Sequence, residues 1–193
     1  MRWLPSKPSP ASVVPDGAAA PSIESLIALH YGFVWRVLRG LGLARADADD
    51  AAQQVFIIVA RKLDSIPSGS ARSFIYGAAL RVANNARRTL RRRREHSPED
   101  DLGDVPEPES LGPEQRAVVV EARALLGELL GHLPDKFRRV LILAELEQLE
   151  VQEIAALERL PVGTAASRLR AARQQFRELL EAARDRNPFV SEA

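Results

Sequence analysis

Between Leu160 and Arg173 the chain reads Leu-Pro-Val-Gly-Thr-Ala-Ala-Ser-Arg-Leu-Arg-Ala-Ala-Arg, and this run restricts the fold more than any other. Proline suits the first turn of a helix, where its missing N–H removes no bond. The small residues that follow let a helix approach a surface closely, and arginines recur with no acid until Glu178. Immediately upstream, Val151 to Leu157 has the apolar spacing of a short amphipathic helix. A short helix, a tight turn and a longer basic helix form a helix-turn-helix, whose second helix enters the DNA major groove.

The rest of the chain agrees with an all-α protein. Aromatic residues are only 5% while alanine, leucine and arginine are frequent, which favours small helical bundles over sheets. The chain has no cysteine, which rules out disulfides and thiolate metal sites and fits a reducing compartment. His30, His96 and His132 are isolated, with no pair at metal-ligand spacing. No glycine-rich phosphate loop or nucleophile elbow occurs. Asp47, Asp49 and Asp50 are adjacent acids, but a helix start accounts for them. The expectation is therefore a protein with no catalytic residues, no metal and no cofactor. Residues 1–21 hold five of the 13 prolines and lack the apolar core of a signal peptide, and no apolar run reaches 18 residues. A cytoplasmic protein without membrane insertion is expected.

The net charge of +1 hides a strong segregation. Residues 1–94 carry 15 Lys and Arg against 6 Asp and Glu, residues 95–114 carry none against 8, and residues 115–193 carry 12 against 12. A basic half, an acidic joint and a neutral half with a basic helix suggest two modules that face nucleic acid. Periodicity and punctuation divide the chain accordingly. A disordered tail (1–21) precedes a first domain (22–94), a flexible acidic linker (95–113), a second domain (114–184) and a short tail (185–193). Within the first domain, helices are predicted over 22–43, with Ser22 as N-cap and Gly42 as stop, then 47–63 and 71–94. In the second, a helix spans 114–133, Pro134 opens another to about Leu146, and the helix-turn-helix follows.

Projection at 100° per residue separates core from candidate surface. In the first helix Leu26, Leu29, Val34, Val37, Leu38 and Leu41 form the expected core stripe. The second helix buries Ala52, Val55, Phe56, Val59 and Leu63, leaving Ile57 and Ile58 beside Asp50, Gln53 and Gln54. That apolar pair is either part of a protein-docking surface or buried because the helix sits centrally. The third helix turns Ile75, Ala79, Val82, Ala86 and Leu90 inward; Phe74, Gly77, Arg81, Asn84, Asn85, Arg88 and Arg92 collect opposite. An arginine and asparagine face suits phosphates and base edges, and Phe74 either stacks on a base or tucks against a neighbour. In the last helix Thr164, Ser167, Arg168, Arg170 and Arg173 are candidate DNA contacts, while Leu169, Ala172 and Phe176 point to the core. These residues alone also fit a self-sufficient helix-turn-helix regulator, or a helical adaptor that binds only protein.

Three motifs in order narrow the choice. Asp47-Ala48-Asp49-Asp50-Ala51-Ala52-Gln53-Gln54-Val55-Phe56 comes first; Ser73-Phe74-Ile75-Tyr76-Gly77-Ala78-Ala79 leads into Arg87–Arg94; Leu133-Pro134, Glu153-Ile154-Ala155, Pro161-Val162-Gly163-Thr164 and Ser167-Arg168-Leu169 complete the set. Together they resemble regions 2 and 4 of bacterial extracytoplasmic-function (ECF) RNA polymerase sigma factors. The resemblance implies a three-helix region 2 and a region 4 helix-turn-helix, in a protein that is not an enzyme but gives core RNA polymerase its promoter preference. It implies that Asp49, Asp50, Gln53, Gln54 and Ile57 meet the polymerase clamp of the β′ subunit. Arg72, Phe74, Arg81, Asn84, Asn85 and Arg88 would serve the −10 element, with loop residues 68–72 bordering a flipped base. Thr164, Ser167, Arg168, Arg170 and Arg173 would serve the −35 element. Implied partners are core polymerase (β′ clamp and β flap) and promoter DNA, with an anti-sigma factor as an open question. The chain departs from the family pattern at Phe74, usually tryptophan, at Gln54, usually an acid, at Ala165 and Ala166, and at Arg159, where the turn often has glycine.

Overall fold

The computed structural model describes residues 22–67, 69–94 and 112–186. The tail predicted for 1–21, nearly all of the acidic joint, Ser68 and residues 187–193 lie outside this range, as do the side chains of the Arg91–Arg94 run.

Three helices form first. Ser22 caps α1 (Ile23–Gly40), its hydroxyl accepting the Ser25 N–H at 3.2 Å. Gly42 then adopts φ +93°, a left-handed conformation glycine takes without strain, and the chain reverses into α2 (Arg45–Lys62). A single 3-10 turn over Leu63–Ser65 and a glycine bend at Gly69 (φ +76°) lead to α3 (Ala71–Arg94). Val34 and Leu38 of α1, Ala52, Val55 and Val59 of α2, and Ile75 and Ala79 of α3 have no accessible surface. The stripes predicted for α2 and α3 are thus the ones that meet, as far as Ala86; the side chain of Leu90, predicted to end the α3 stripe, lies outside the described residues.

Leu29 corrects the first stripe: it is 64% exposed. Both neighbouring helices pack on the Val34–Val37–Leu38 side, and Leu29 lies roughly 130° round the helix from that centre. Apolar character at every third or fourth residue placed it on the stripe; the narrower arc used by the partners leaves it in solvent.

The second set begins at α4 (Pro113–His132), with Gly112 at the cap and proline in the first turn. The helix predicted from Pro134 is α5 (Asp135–Leu141), which continues to Leu146 with a wider π pitch over Ile142–Leu146. That turn is closed by the Glu147 N–H on the Ile142 carbonyl and the Leu149 N–H on the Leu143 carbonyl, and Gln148 takes φ +52°. Next come α6 (Val151–Glu158) and α7 (Val162–Arg186). Among the described residues Arg138 is the one charged residue buried as a whole, backbone included, at 4% exposed. Its guanidinium donates to the carbonyls of Leu130, Gly131 and Leu133 at 2.5, 2.7 and 3.0 Å, filling the acceptors left over at the end of α4.

The two sets pack on each other, α3 against α6 and α1 against the π turn. His30 of α1 is half-buried; loss of hydration, and then the nearby Arg72 charge, hold its pKa below the usual 6.5. The native chain therefore favours neutral imidazole, whereas the unfolded chain takes up a proton near pH 6.5. Stability from this group is complete above that pH and falls as the pH drops through and below it. We expect the melting temperature to decline from pH 7 to 5.5, and His30→Gln to flatten that slope in a thermal-denaturation series. An unchanged slope would show that another group controls it.

Candidate nucleic-acid and protein-docking faces

On α2 the polar strip is a physical feature. Asp50, Gln53 and Gln54 are exposed, Ile57 is 50% exposed, and the spacing 50, 53, 54, 57 puts all four on one side. Ile58, by contrast, packs against the core, so the two isoleucines divide between the two readings. Asp49 is placed differently from its neighbours. Its carboxylate accepts the Trp35 indole N–H at 2.7 Å and the Tyr31 hydroxyl at 3.4 Å, bracing α2 against α1. Tyr31 also stacks on Phe56, ring centres 6.2 Å apart. No local pattern announces this link, because the partners lie 14 and 18 residues upstream on another helix.

The outer side of α3 presents Arg81, Asn84, Asn85 and Arg88 to solvent. Phe74 is half-buried and packs on the core, the more closed of its two readings. Arg72 stands apart from the exposed group. Its guanidinium lies 4.9 Å from the Phe33 ring centre, a cation–π contact, and 3.6 Å from Glu153 of α6.

In the α6–α7 pair the sequence chose an unusual turn. Glu150 and Glu153 form a reciprocal capping box at the start of α6. At its end Arg159 adopts φ 55°, ψ 51°, the left-handed conformation that glycine takes more cheaply, by about 1 kcal/mol. The Leu160 N–H reaches back to the Ala155 carbonyl at 2.9 Å, so the tight turn survives without glycine. In α7, Ala165, Leu169 and Ala172 are buried, and Ser167 and Arg170 face solvent. Thr164 and Arg168 are half-exposed on the flank. The Ser167 hydroxyl donates to the Thr164 carbonyl at 3.0 Å, and Arg173 is paired with Glu145 of the π turn at 2.8 Å. Arg170 is the exposed cation nearest the start of the helix. Arg177, which periodicity had not singled out, shares its groove with Val151, Ser167 and Gln174.

Among the described residues no group of three or more His, Cys, Asp or Glu could hold a metal ion, and no helix is long and apolar enough to cross a membrane.

Comparison with known proteins follows the same division. Residues 26–94 match the family model for sigma-70 region 2, and residues 123–176 that for sigma-70 region 4. Among curated proteins, the chain is 33% identical to the ECF RNA polymerase sigma factor SigE of Mycolicibacterium smegmatis over 86% of its own length and 64% of that protein. It is 33% identical to the ECF RNA polymerase sigma-E factor of Escherichia coli K12 over 66% of its length and 71% of that protein. Of solved structures, CnrH in complex with the cytosolic domain of CnrY aligns with a TM-score of 0.61 at 21% identity, covering 83% of this chain and 88% of that one. The sigma factor RpoE of Bartonella quintana, solved with the anti-sigma factor NepR, aligns at 0.55 and 18%, covering 82% and 96%. At those identities the structural likeness speaks to fold.

Proposed function

We propose, for a chain that belongs to the ECF RNA polymerase sigma factors, that it binds core RNA polymerase and directs initiation at promoters with −10 and −35 elements. The reading rests above all on one observation: the segment matching region 2 carries two separate outward faces. One is the strip Asp50, Gln53, Gln54 and Ile57; the other is the cationic side Arg81, Asn84, Asn85 and Arg88. A protein that only binds duplex DNA has no need of the first. A protein adaptor has no need of the second.

In this reading residues 22–94 serve the polymerase clamp and the −10 element, residues 114–184 the β flap and the −35 element, and 95–113 join them, with tails at 1–21 and 185–193. Asp49 acts as a positioning residue that fixes α2 through Trp35. Arg81 and Arg88 take phosphates, Asn84 and Asn85 base edges, and Arg72 and Phe74 border the opened strand. Thr164, Ser167, Arg168 and Arg170 approach the −35 major groove, and Arg173 joins them once it leaves Glu145. The protein acts in the cytoplasm, as an initiation factor and not as an enzyme. An anti-sigma factor is a further partner, since the Bartonella relative of this fold was solved with one. Purified chain, core polymerase and a promoter library should together yield transcripts from a defined set of start sites. Failure of the chain to associate with polymerase would overturn the reading.

A further inference from the structure

Four arginines lie on α7 before its last three turns, and they are not placed alike. Arg168 is half-exposed on the flank, and Arg173 is held by Glu145 at 2.8 Å. Arg170 and Arg177 are exposed, and among the described residues neither is in an ion pair. We infer that Arg177 is a DNA contact of this chain: its guanidinium takes a backbone phosphate of the duplex, two turns beyond Arg170, whatever the base sequence.

Helix register supports this first. Seven residues separate Arg170 from Arg177, and at 100° per residue they turn α7 through about 700°, within about 20° of two full turns. The two side chains therefore leave the helix on one side, roughly 10 Å apart along its axis, which is about three base-pair steps of a duplex. Both line one groove, shared with Ser167 and Gln174 of α7 and with Val151, the first residue of α6. Ala166 and Ala171 line the same groove and offer no donor, so the arginines supply its charge.

Availability is the second support. Glu178 follows Arg177 directly, and adjacent residues on a helix do not face each other. The Glu178 carboxylate instead accepts the Gln174 amide N–H at 2.8 Å, while the Gln174 amide oxygen accepts from Arg177 at 3.3 Å. Gln174 thus stands between the cation and the carboxylate. Glu181 lies one turn beyond Arg177, in the cation-before-acid order that pairs less well, and no ion pair joins the two. A phosphate reaching Arg173 must displace Glu145; at Arg177 it displaces only the amide oxygen of Gln174.

The sequence also marks where the contact ends. Glu178 and Glu181 are the first acids of α7, and no cation follows Arg177 until Arg184. Carboxylates repel phosphate, so the backbone leaves the helix after Arg177. A contact of this kind supplies affinity and orientation without sequence information. Selection among sequences stays with the residues nearer the start of α7.

This inference rests on the reading of α7 as a DNA-facing helix, but its test needs no polymerase. The full chain is titrated against two labelled duplexes of about 30 base pairs and unrelated sequence, and fluorescence anisotropy is followed from about 50 mM salt upward. Arg177→Ala should weaken binding to both duplexes by about tenfold at the lowest salt and reduce the slope of log affinity against log salt by about 0.9. Arg177→Lys keeps a point charge and should retain the slope. Arg61→Ala, which removes an equal charge from the exposed side of α2, should change neither quantity. A parent chain that binds neither duplex, an Arg177→Ala chain with unchanged slope, a loss confined to one duplex, or an equal loss in Arg61→Ala would each overturn the contact. Failure of the chain to bind polymerase would overturn the proposed function and leave this contact standing, so the two can fail separately.

Discussion

Arg138→Met should remove about 3 kcal/mol from the stability of the α4–α7 set and lower its melting temperature by more than about 10 °C. The guanidinium is buried and donates to three carbonyls at the end of α4. Methionine keeps most of the apolar stem and supplies no donor, so the carbonyls of Leu130, Gly131 and Leu133 are left without that partner. An unpaired buried acceptor costs about 1–3 kcal/mol, and a cation at a helix C-terminus gains further from the helix dipole. Burial first, and then the nearby Arg87 charge, pull the Arg138 pKa below the ordinary arginine range, with Asp135 opposing them. Arg138→Lys should recover only part of the loss, because one ammonium cannot occupy the fork. Chemical denaturation with a helical signal measures all three chains. Equal stability of the methionine variant and the parent would refute the account.

The second large effect separates the two faces of region 2. On the proposed reading, Asp50→Ala and Gln53→Ala each weaken core polymerase binding by about tenfold, roughly 1.4 kcal/mol, and leave opening by the bound complex unchanged. Arg81→Ala and Arg88→Ala do the reverse. They keep core affinity but impair promoter opening, and each should reduce the salt dependence of DNA binding by about one ion. Fluorescence anisotropy with labelled chain reads the first quantity, and permanganate footprinting of the opened strand reads the second. All four side chains are exposed, so the substitutions should not disturb the core. Polymerase affinity indifferent to Asp50 and Gln53 would move the docking surface elsewhere.

How far the sequence could be read is clearest at particular residues. Ser22 was legible as a cap because capping is a local bond over three residues. The extent of α3, Ala71–Arg94, was legible because a glycine-bearing turn precedes it and its apolar spacing is regular. Arg159 was legible as an oddity in the turn, and its left-handed conformation bears that out. Leu29 was misplaced because periodicity gives the hydrophobic side of a helix but not the width of the arc that its neighbours cover. Asp49 looked like its exposed neighbours Asp50 and Gln53 until Trp35 was placed beside it. Arg173 looked like a DNA contact equivalent to Arg170 until the π turn brought Glu145 to it.

Local rules therefore determined the all-α class, the order of helices, the caps and the family to which the chain belongs. Each depends on residues within a turn or two of one another, or on motifs read in order. Tertiary structure alone decided which charges are already occupied: Arg36, Arg72 and Arg87 each find their acid between 48 and 111 residues away. Ion pairing depends on distance in space and on burial, and a linear pattern carries neither. That is why a chain with a net charge of +1 can hold an exposed basic face on α3 and, in the same fold, acids paired with Arg36, Arg72 and Arg87.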